Sequence, residues 1–156
     1  MKAREVMTEN PACCVPTDTI QHAAKLMVEC DCGCVPVVDD LQSKKIVGTL
    51  TDRDIACRCT AQGKGPDALV SEAMSLKPSC CRADDDLQDV EKVMTDRQVR
   101  RVPIVDEQGC CIGMVSQADL ARAAERGLPE QEVGRVVERV SEPGRGARAE
   151  SRPEER

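Results

Sequence analysis

Two short stretches of the chain carry the same residues able to do chemistry. Gly48–Ala56 reads GTLTDRDIA and Gly113–Ala121 reads GMVSQADLA, so each sets a hydroxyl residue, Thr51 or Ser116, three positions before an aspartate, Asp54 or Asp119. At a junction between strand and helix this spacing makes a capping box, in which the hydroxyl accepts a first-turn N–H and the acid favours the helix dipole. The same junction turns a hydroxyl and free N–H groups toward a bound anion. A carboxylate there suits sugar hydroxyls, whose hydrogen bonds it accepts. Capping and binding are compatible, and the residues alone leave both open. Arg53 stands beside Asp54, where the second stretch has Ala118; in turn Arg100 and Arg101 stand where the first copy has Gly33 and Cys34. The planar fork of arginine suits phosphate. Either each copy binds on its own, or the basic groups converge on one site, or they are solvated surface charges.

The eleven cysteines are the second candidate chemistry. They fall as Cys13-Cys14, Cys80-Cys81 and Cys110-Cys111, and as alternations at Cys30, Cys32 and Cys34 and at Cys57 and Cys59. No pair of C-x-x-C motifs is present, and adjacent cysteines in a strand point to opposite faces, so the spacing predicts small buried apolar residues rather than a zinc site. Catalysis has little to work with. The single histidine, His22, follows Gln21 on the polar face of a predicted helix, and there is no Ser-His-Asp set or glycine-rich phosphate loop. The residues therefore predict no enzyme, no metal and no required cofactor.

Composition narrows the partners. The net charge of −6 argues against nucleic acid, whose phosphates need a basic face. No stretch approaches the roughly 18 apolar residues of a membrane span, and MKAREVMTENP has no apolar leader core. The expectation is a cytoplasmic protein with reduced thiols. Phe, Trp and Tyr are all absent, so Val, Ile, Leu, Met, Ala and Cys must fill the core.

The elements that hold these residues repeat. Residues 6–40 align with residues 73–107 at an offset of 67, bringing Met7 onto Met74, Pro11 onto Pro78 and Pro36 onto Pro103. The offset then falls to 65 because LQSKK shortens to QGC in a hairpin turn, and Gly48, Thr51 and Asp54 meet Gly113, Ser116 and Asp119. Each copy reads as a short strand (ACCV or SCCR), a helix starting near Thr17 and Asp18 or near Asp84 to Asp86, a proline-bearing strand confined to an edge or a strand start, a second strand, and a second helix from Asp52 or Gln117. The predicted fold is α+β: two tandem β-α-β-β-α repeats, residues 1–62 and 70–126, joined by a linker at 63–69. A unit this short cannot bury its own apolar face, so the copies are expected to pack sheet against sheet as a pseudo-twofold pair. Val133, Val136, Val137 and Val140 predict a short helix within 127–142, and residues 143–156 are too polar to order themselves.

The repeated unit resembles the CBS domain, and the pair resembles a bacterial tandem-CBS protein over residues 2–125. REVMT, CVPVVD and GTLTDRDIA, each recurring in order, carry the resemblance. It implies an adenine-nucleotide ligand of AMP, ADP or ATP type, with Asp54 and Asp119 on ribose and Thr51 and Ser116 near phosphate. Adenine would be read elsewhere. Pro36 and Pro103 are expected to interrupt strand pairing and free backbone groups of Cys34, Val35, Arg101 and Val102 for a purine edge, with Val35, Val37, Val102 and Ile104 as apolar contacts. The alternative is an edge strand with a protective proline. The resemblance also implies a homodimer, and regulation of a protein partner rather than catalysis. Two other readings remain: a cysteine-based redox or zinc-responsive stress protein on the same fold, and an interaction scaffold with vestigial sites.

Overall fold

The computed structural model describes residues 1–143, so the expected tail lies outside the described residues beyond Pro143. In the first copy, α1 (Ile20–Glu29) is followed by the hairpin of β2 (Cys34–Val38) and β3 (Ile46–Thr51) and by a second helix that starts as α2 (Asp52–Asp54). In the second copy, α3 (Leu87–Arg97) precedes β6 (Arg101–Val105), β7 (Cys111–Ser116) and α4 (Gln117–Ala124), and α5 (Glu130–Ser141) closes the described chain. The cap of α1 is Thr19, whose hydroxyl accepts the His22 N–H at 3.1 Å. The expected start at Thr17 and Asp18 is therefore early by one or two residues, because Asp18 is used in the preceding turn, where its carboxylate accepts the Val15 N–H at 2.9 Å. Asp85 does the same for Arg82 in the second copy, at 2.7 Å.

The copies exchange strands. The short β1 (Thr8–Glu9) pairs with β7 of the second copy, Thr8 opposite Met114, while β4 (Ser75–Leu76) pairs with β3 of the first, Thr49 opposite Ser75. The sheets are thus β1-β7-β6-β5 and β2-β3-β4, with β5 spanning Cys81–Arg82. The strand expected over ACCV reduces to a single parallel bridge between Cys14 and Val37; its counterpart β5 pairs in parallel with β6.

The exchange explains the repeated glycines. A Cβ on Gly48 would lie 2.6 Å from the Ser75 carbonyl oxygen of β4, and one on Gly113 would meet the Met7 sulfur and, at 3.3 Å, the Thr8 carbonyl. Both glycines serve the close approach of the exchanged strand.

Each copy keeps its own core, and the exchange completes it. Ala3, in a 3-10 turn ahead of β1, is buried among Leu87, Val90, Met94, Val102, Ile104 and Leu120 of the second copy. Its counterpart Val70 is buried with Ile20, Ala23, Met27, Val35, Val37 and Leu50 of the first. The copies pack as the expected pseudo-twofold pair: Cys34 and Val38 of β2 and Cys111 and Met114 of β7 are buried outside either copy's own core cluster, and the two hairpins also meet at their ends. There the Ile46 N–H donates to Gly109 O at 3.1 Å and the Cys111 N–H to Lys44 O at 2.8 Å. These two bonds are exchanged by the pseudo-twofold axis, which passes by the Lys45–Cys110 bridge. Branched aliphatic residues fill both cores, each fully buried one contributing about 1.5–3 kcal/mol without any aromatic.

The second helices differ. After α2 the chain makes a π-helical turn, Ile55–Cys59, and a 3-10 turn, Thr60–Gln62, whereas α4 is regular. Within the π turn, Arg58 donates to the carbonyls of Ala73 at 3.0 Å and Met74 at 3.2 Å, fastening the segment that leads into β4. Among the described residues no helix is long and apolar enough to cross a membrane.

Candidate functional site

Both hydroxyl–aspartate pairs form capping boxes. Thr51 Oγ1 accepts the Asp54 N–H at 3.0 Å while Asp54 Oδ2 accepts the Thr51 N–H at 2.9 Å. Ser116 Oγ accepts the Asp119 N–H at 3.2 Å, and Asp119 Oδ2 accepts from the Ser116 N–H at 2.7 Å. The two aspartates then part. Asp119 is buried, and its Oδ1 is held by Arg122 Nη1 at 2.9 Å. Asp54 is half-buried, and its Oδ1 accepts no hydrogen bond from any described residue.

The exchange puts each pair opposite the other copy. Thr51 and Asp54 line a cleft of 330 Å³ whose far wall is Ser75–Ser79, Arg97, Val99, Arg101 and Pro103. Ser116 and Asp119 line a cleft of 440 Å³ faced by Thr8, Asn10, Pro11 and Ala12 and by Cys30, Cys32 and Cys34. The two clefts are counterparts under the pseudo-twofold. Position by position, Ser75 stands for Thr8, Pro78 for Pro11 and Arg101 for Cys34. Cavities of this size fall in the range of small-ligand sites.

The expected purine-reading groups are placed differently. Pairing runs unbroken across both prolines, with Pro36 opposite Thr49 and Pro103 opposite Met114. Cys34, Val35, Arg101 and Val102 are all in register, opposite Thr51, Leu50, Ser116 and Val115. The prolines interrupt nothing because of which way they face. Pro36 O accepts the Cys14 N–H at 3.1 Å, so its backbone, and its missing donor, point away from β3. The edge expectation fails for β6, which lies between β7 and β5; β5 pairs only with Ile104 and Val105, beyond the proline. Val35, Val37, Val102 and Ile104 point into the cores and line neither cleft. Pro36 is buried and lines neither, whereas Cys34, Arg101 and Pro103 do line clefts.

Basic groups gather on one side. Arg53, Arg100 and Arg101 line one concavity of 800 Å³ together with Thr51, beside the Asp54 cleft, where the end of α5 from Val140 to Pro143 forms a wall. Gln98 fastens that end by donating to the carbonyls of Arg139 at 3.4 Å and Glu142 at 3.1 Å. Lys77, Arg97 and Arg122 went unnoticed in the sequence. The signal for Lys77 and Arg97 was available: the copies align them with Asn10 and Cys30, and only a charge comparison exposes the difference.

All eleven cysteines are free thiols. Burial pushes the Cys14 and Cys34 thiols up to about 12 and Cys81 to about 11; at Cys34 the neighbouring Arg101 opposes the shift. The Cys13 and Cys111 thiols donate to the carbonyls of Pro11 at 3.2 Å and Gly113 at 3.6 Å, and their interaction with each other pulls Cys13 down and Cys111 up. Among the described residues no three His, Cys, Asp or Glu side chains converge as a metal site. His22 is exposed, 3.9 Å from Asp18.

Comparison with known proteins fits this architecture. The CBS domain family profile matches residues 3–58 and again 70–126. The CBS domain-containing protein YhcV of Bacillus subtilis is 42% identical over 118 residues, covering 76% of this chain and 81% of its own. The crystal structure of Hypoxic Response Protein I with two coordinated zinc ions superposes with a TM-score of 0.71 at 34% identity, over 78% of this chain and 98% of that one. That of CBSX2 from Arabidopsis thaliana in complex with AMP gives 0.69 at 25% identity, over 80% and 96%. With two matched units, an internal pseudo-twofold and these relatives, the chain belongs to the CBS-domain family and is a tandem CBS pair.

Proposed function

We propose that this CBS pair is a non-catalytic regulatory module of the cytoplasm that binds an adenosine nucleotide between its two repeats. One observation carries the reading: the exchange of β1 and β4 sets each hydroxyl–aspartate pair across a ligand-sized cleft from the other copy's loop and proline strand. The complex of CBSX2 with AMP supports an adenosine ligand for this fold. In this reading the free Asp54 Oδ1 accepts the ribose hydroxyls, Thr51 Oγ1 and Arg101 face the phosphate next to the ribose, and Val99 with Pro103 gives the base an apolar wall. Asp119 and Ser116 are the corresponding groups of the other cleft. The outcome of binding is a change in how the module meets a protein partner, with no bond made or broken. The repeats are taken as residues 1–62 and 70–126, with 63–69 as linker.

Equilibrium dialysis tests this. The chain has no Trp or Tyr, so absorbance at 260 nm reports bound nucleotide almost without a protein background. Retention of AMP, ADP or ATP at millimolar concentration or below is expected; retention of none of them overturns the reading.

A homodimer belongs to the same proposal, because Val28 stays 81% exposed and Leu41 57% exposed on a single chain. Sedimentation at micromolar concentration should give twice 17.0 kDa, and a single-chain mass throughout contradicts it. The metal reading has less support. The zinc in the Hypoxic Response Protein I structure is that protein's, and the described residues here bring no three ligating side chains together.

A further inference from the structure

The two clefts carry very different charge, although one is the other's repeat. Lys77, Arg97 and Arg101 line the Thr51–Asp54 cleft, and Arg53 and Arg100 join Arg101 in the adjoining concavity. Across the pseudo-twofold their counterparts are Asn10, Cys30, Cys34, Ala118 and Gly33, every one uncharged. None of the five cations makes an ion pair with a described residue. Asp54, Asp52 and Glu142 line the same surfaces, so five cations face three carboxylates there, and the excess positive charge favours a bound anion.

The Ser116–Asp119 cleft is built the other way. Among the described residues its cations are Arg101, shared with the first cleft, and Arg122, which is tied to Asp119 Oδ1, and Asp31 adds a second carboxylate. Both Asp119 oxygens are thereby engaged, so a ribose there has to displace a guanidinium from a buried carboxylate. The counterpart of Arg122 is the exposed Cys57, which leaves Asp54 Oδ1 free. A phosphate that takes Arg101 in the first cleft also takes from the second its one untied cation among the described residues.

We infer that this chain binds one multiply phosphorylated adenosine, a di- or triphosphate, in the Thr51–Asp54 cleft with its phosphates running toward Arg53 and Arg100, while Arg122 closes the Ser116–Asp119 cleft to ribose by holding Asp119. This deepens the proposed function and rests on it.

Calorimetric titration with ATP, AMP and inorganic tripolyphosphate tests it. ATP is expected to bind once per chain and at least about tenfold more tightly than AMP, with a strong dependence on salt. Arg53→Ala combined with Arg100→Ala should weaken ATP by about 10- to 150-fold, as expected when charge-assisted hydrogen bonds are lost. AMP binding should change little, because its single phosphate reaches Thr51 and Arg101. Both arginines are exposed and make no ion pair among the described residues, and unchanged circular dichroism of the double variant would show that the fold is intact. Arg122→Ala should free Asp119 for a ribose and add a second, weaker nucleotide per chain. Two ATP molecules bound equally by the parent, or equal affinity for ATP and AMP, overturns the inference. If tripolyphosphate binds and no adenosine nucleotide competes with it, the basic site stands and the adenosine reading fails. If AMP binds and ATP does not, the adenosine reading stands and this inference fails.

Discussion

Asp54→Ala is expected to lower the affinity for adenosine nucleotide by about 10- to 150-fold, the equivalent of charge-assisted hydrogen bonds worth about 1.5–3 kcal/mol. The expectation follows from the lone unengaged oxygen of this carboxylate in the Thr51 cleft. The same change removes the acceptor for the Thr51 N–H and an acid from the first helical turn, and should cost about 0.3–1 kcal/mol of stability. Asp54→Asn separates the two effects, since its amide oxygen still accepts the Thr51 N–H while the charge is gone. Nucleotide titration of both variants beside urea denaturation gives affinity and stability independently. An Asp54→Ala protein that binds as tightly as the parent removes this residue from the site.

A steep loss of stability on the alkaline side is the second large effect. Burial holds Cys34 and Cys14 protonated up to about 12 in the folded chain, whereas an unfolded cysteine releases its proton near 9.0. Below 9 both states keep the proton and the thiol's contribution is fully present. Above 9 the unfolded chain binds fewer protons than the folded one, so stability falls as pH rises toward 12. The slope approaches about 1.4 kcal/mol per pH unit for each thiol held in this way. Urea unfolding followed by circular dichroism, in reductant, at pH 8, 9, 10 and 10.5 measures it. Replacing Cys34 by Ala should flatten the slope by one thiol's share whatever it does to the absolute stability. A flat profile from pH 8 to 10.5 would mean that these thiols ionise as freely in the folded protein.

How much of this was legible in the chain depends on length scale. The repeat was plain, because a constant offset brings Met7 onto Met74, Pro11 onto Pro78 and Asp54 onto Asp119. The helices followed from apolar spacing, with Ile20, Ala23 and Met27 buried in α1 and Leu87, Val90 and Met94 in α3. Strand exchange was invisible, since β1 and β4 are two residues each, too short for any periodicity. That one omission hid the site's organisation: the pairing of Asp54 with the second copy's wall exists only because β4 crosses over. The prolines misled for a related reason. A proline blocks pairing on the side its nitrogen faces, and the direction a strand residue faces is set by its partners, which one sequence does not name. The convergence of Arg53 with Arg100 and Arg101 was among the options the residues allowed, and the adjoining concavity gathers those three. Arg122 carried no signal, because its importance lies in where a neighbouring carboxylate points.

Amide chemical-shift mapping with saturating ATP tests the central claim most directly, because it reports both whether a nucleotide binds and where. The account predicts shifts concentrated on the amides of Thr51, Asp54, Ser75, Lys77, Val99 and Arg101, around the first cleft. Amides of Asn10, Cys30 and Cys32 in the opposite cleft should move far less. Shifts confined to the groove between α3 and α5, around Lys92 and Arg135, or no shifts at millimolar nucleotide, would contradict it.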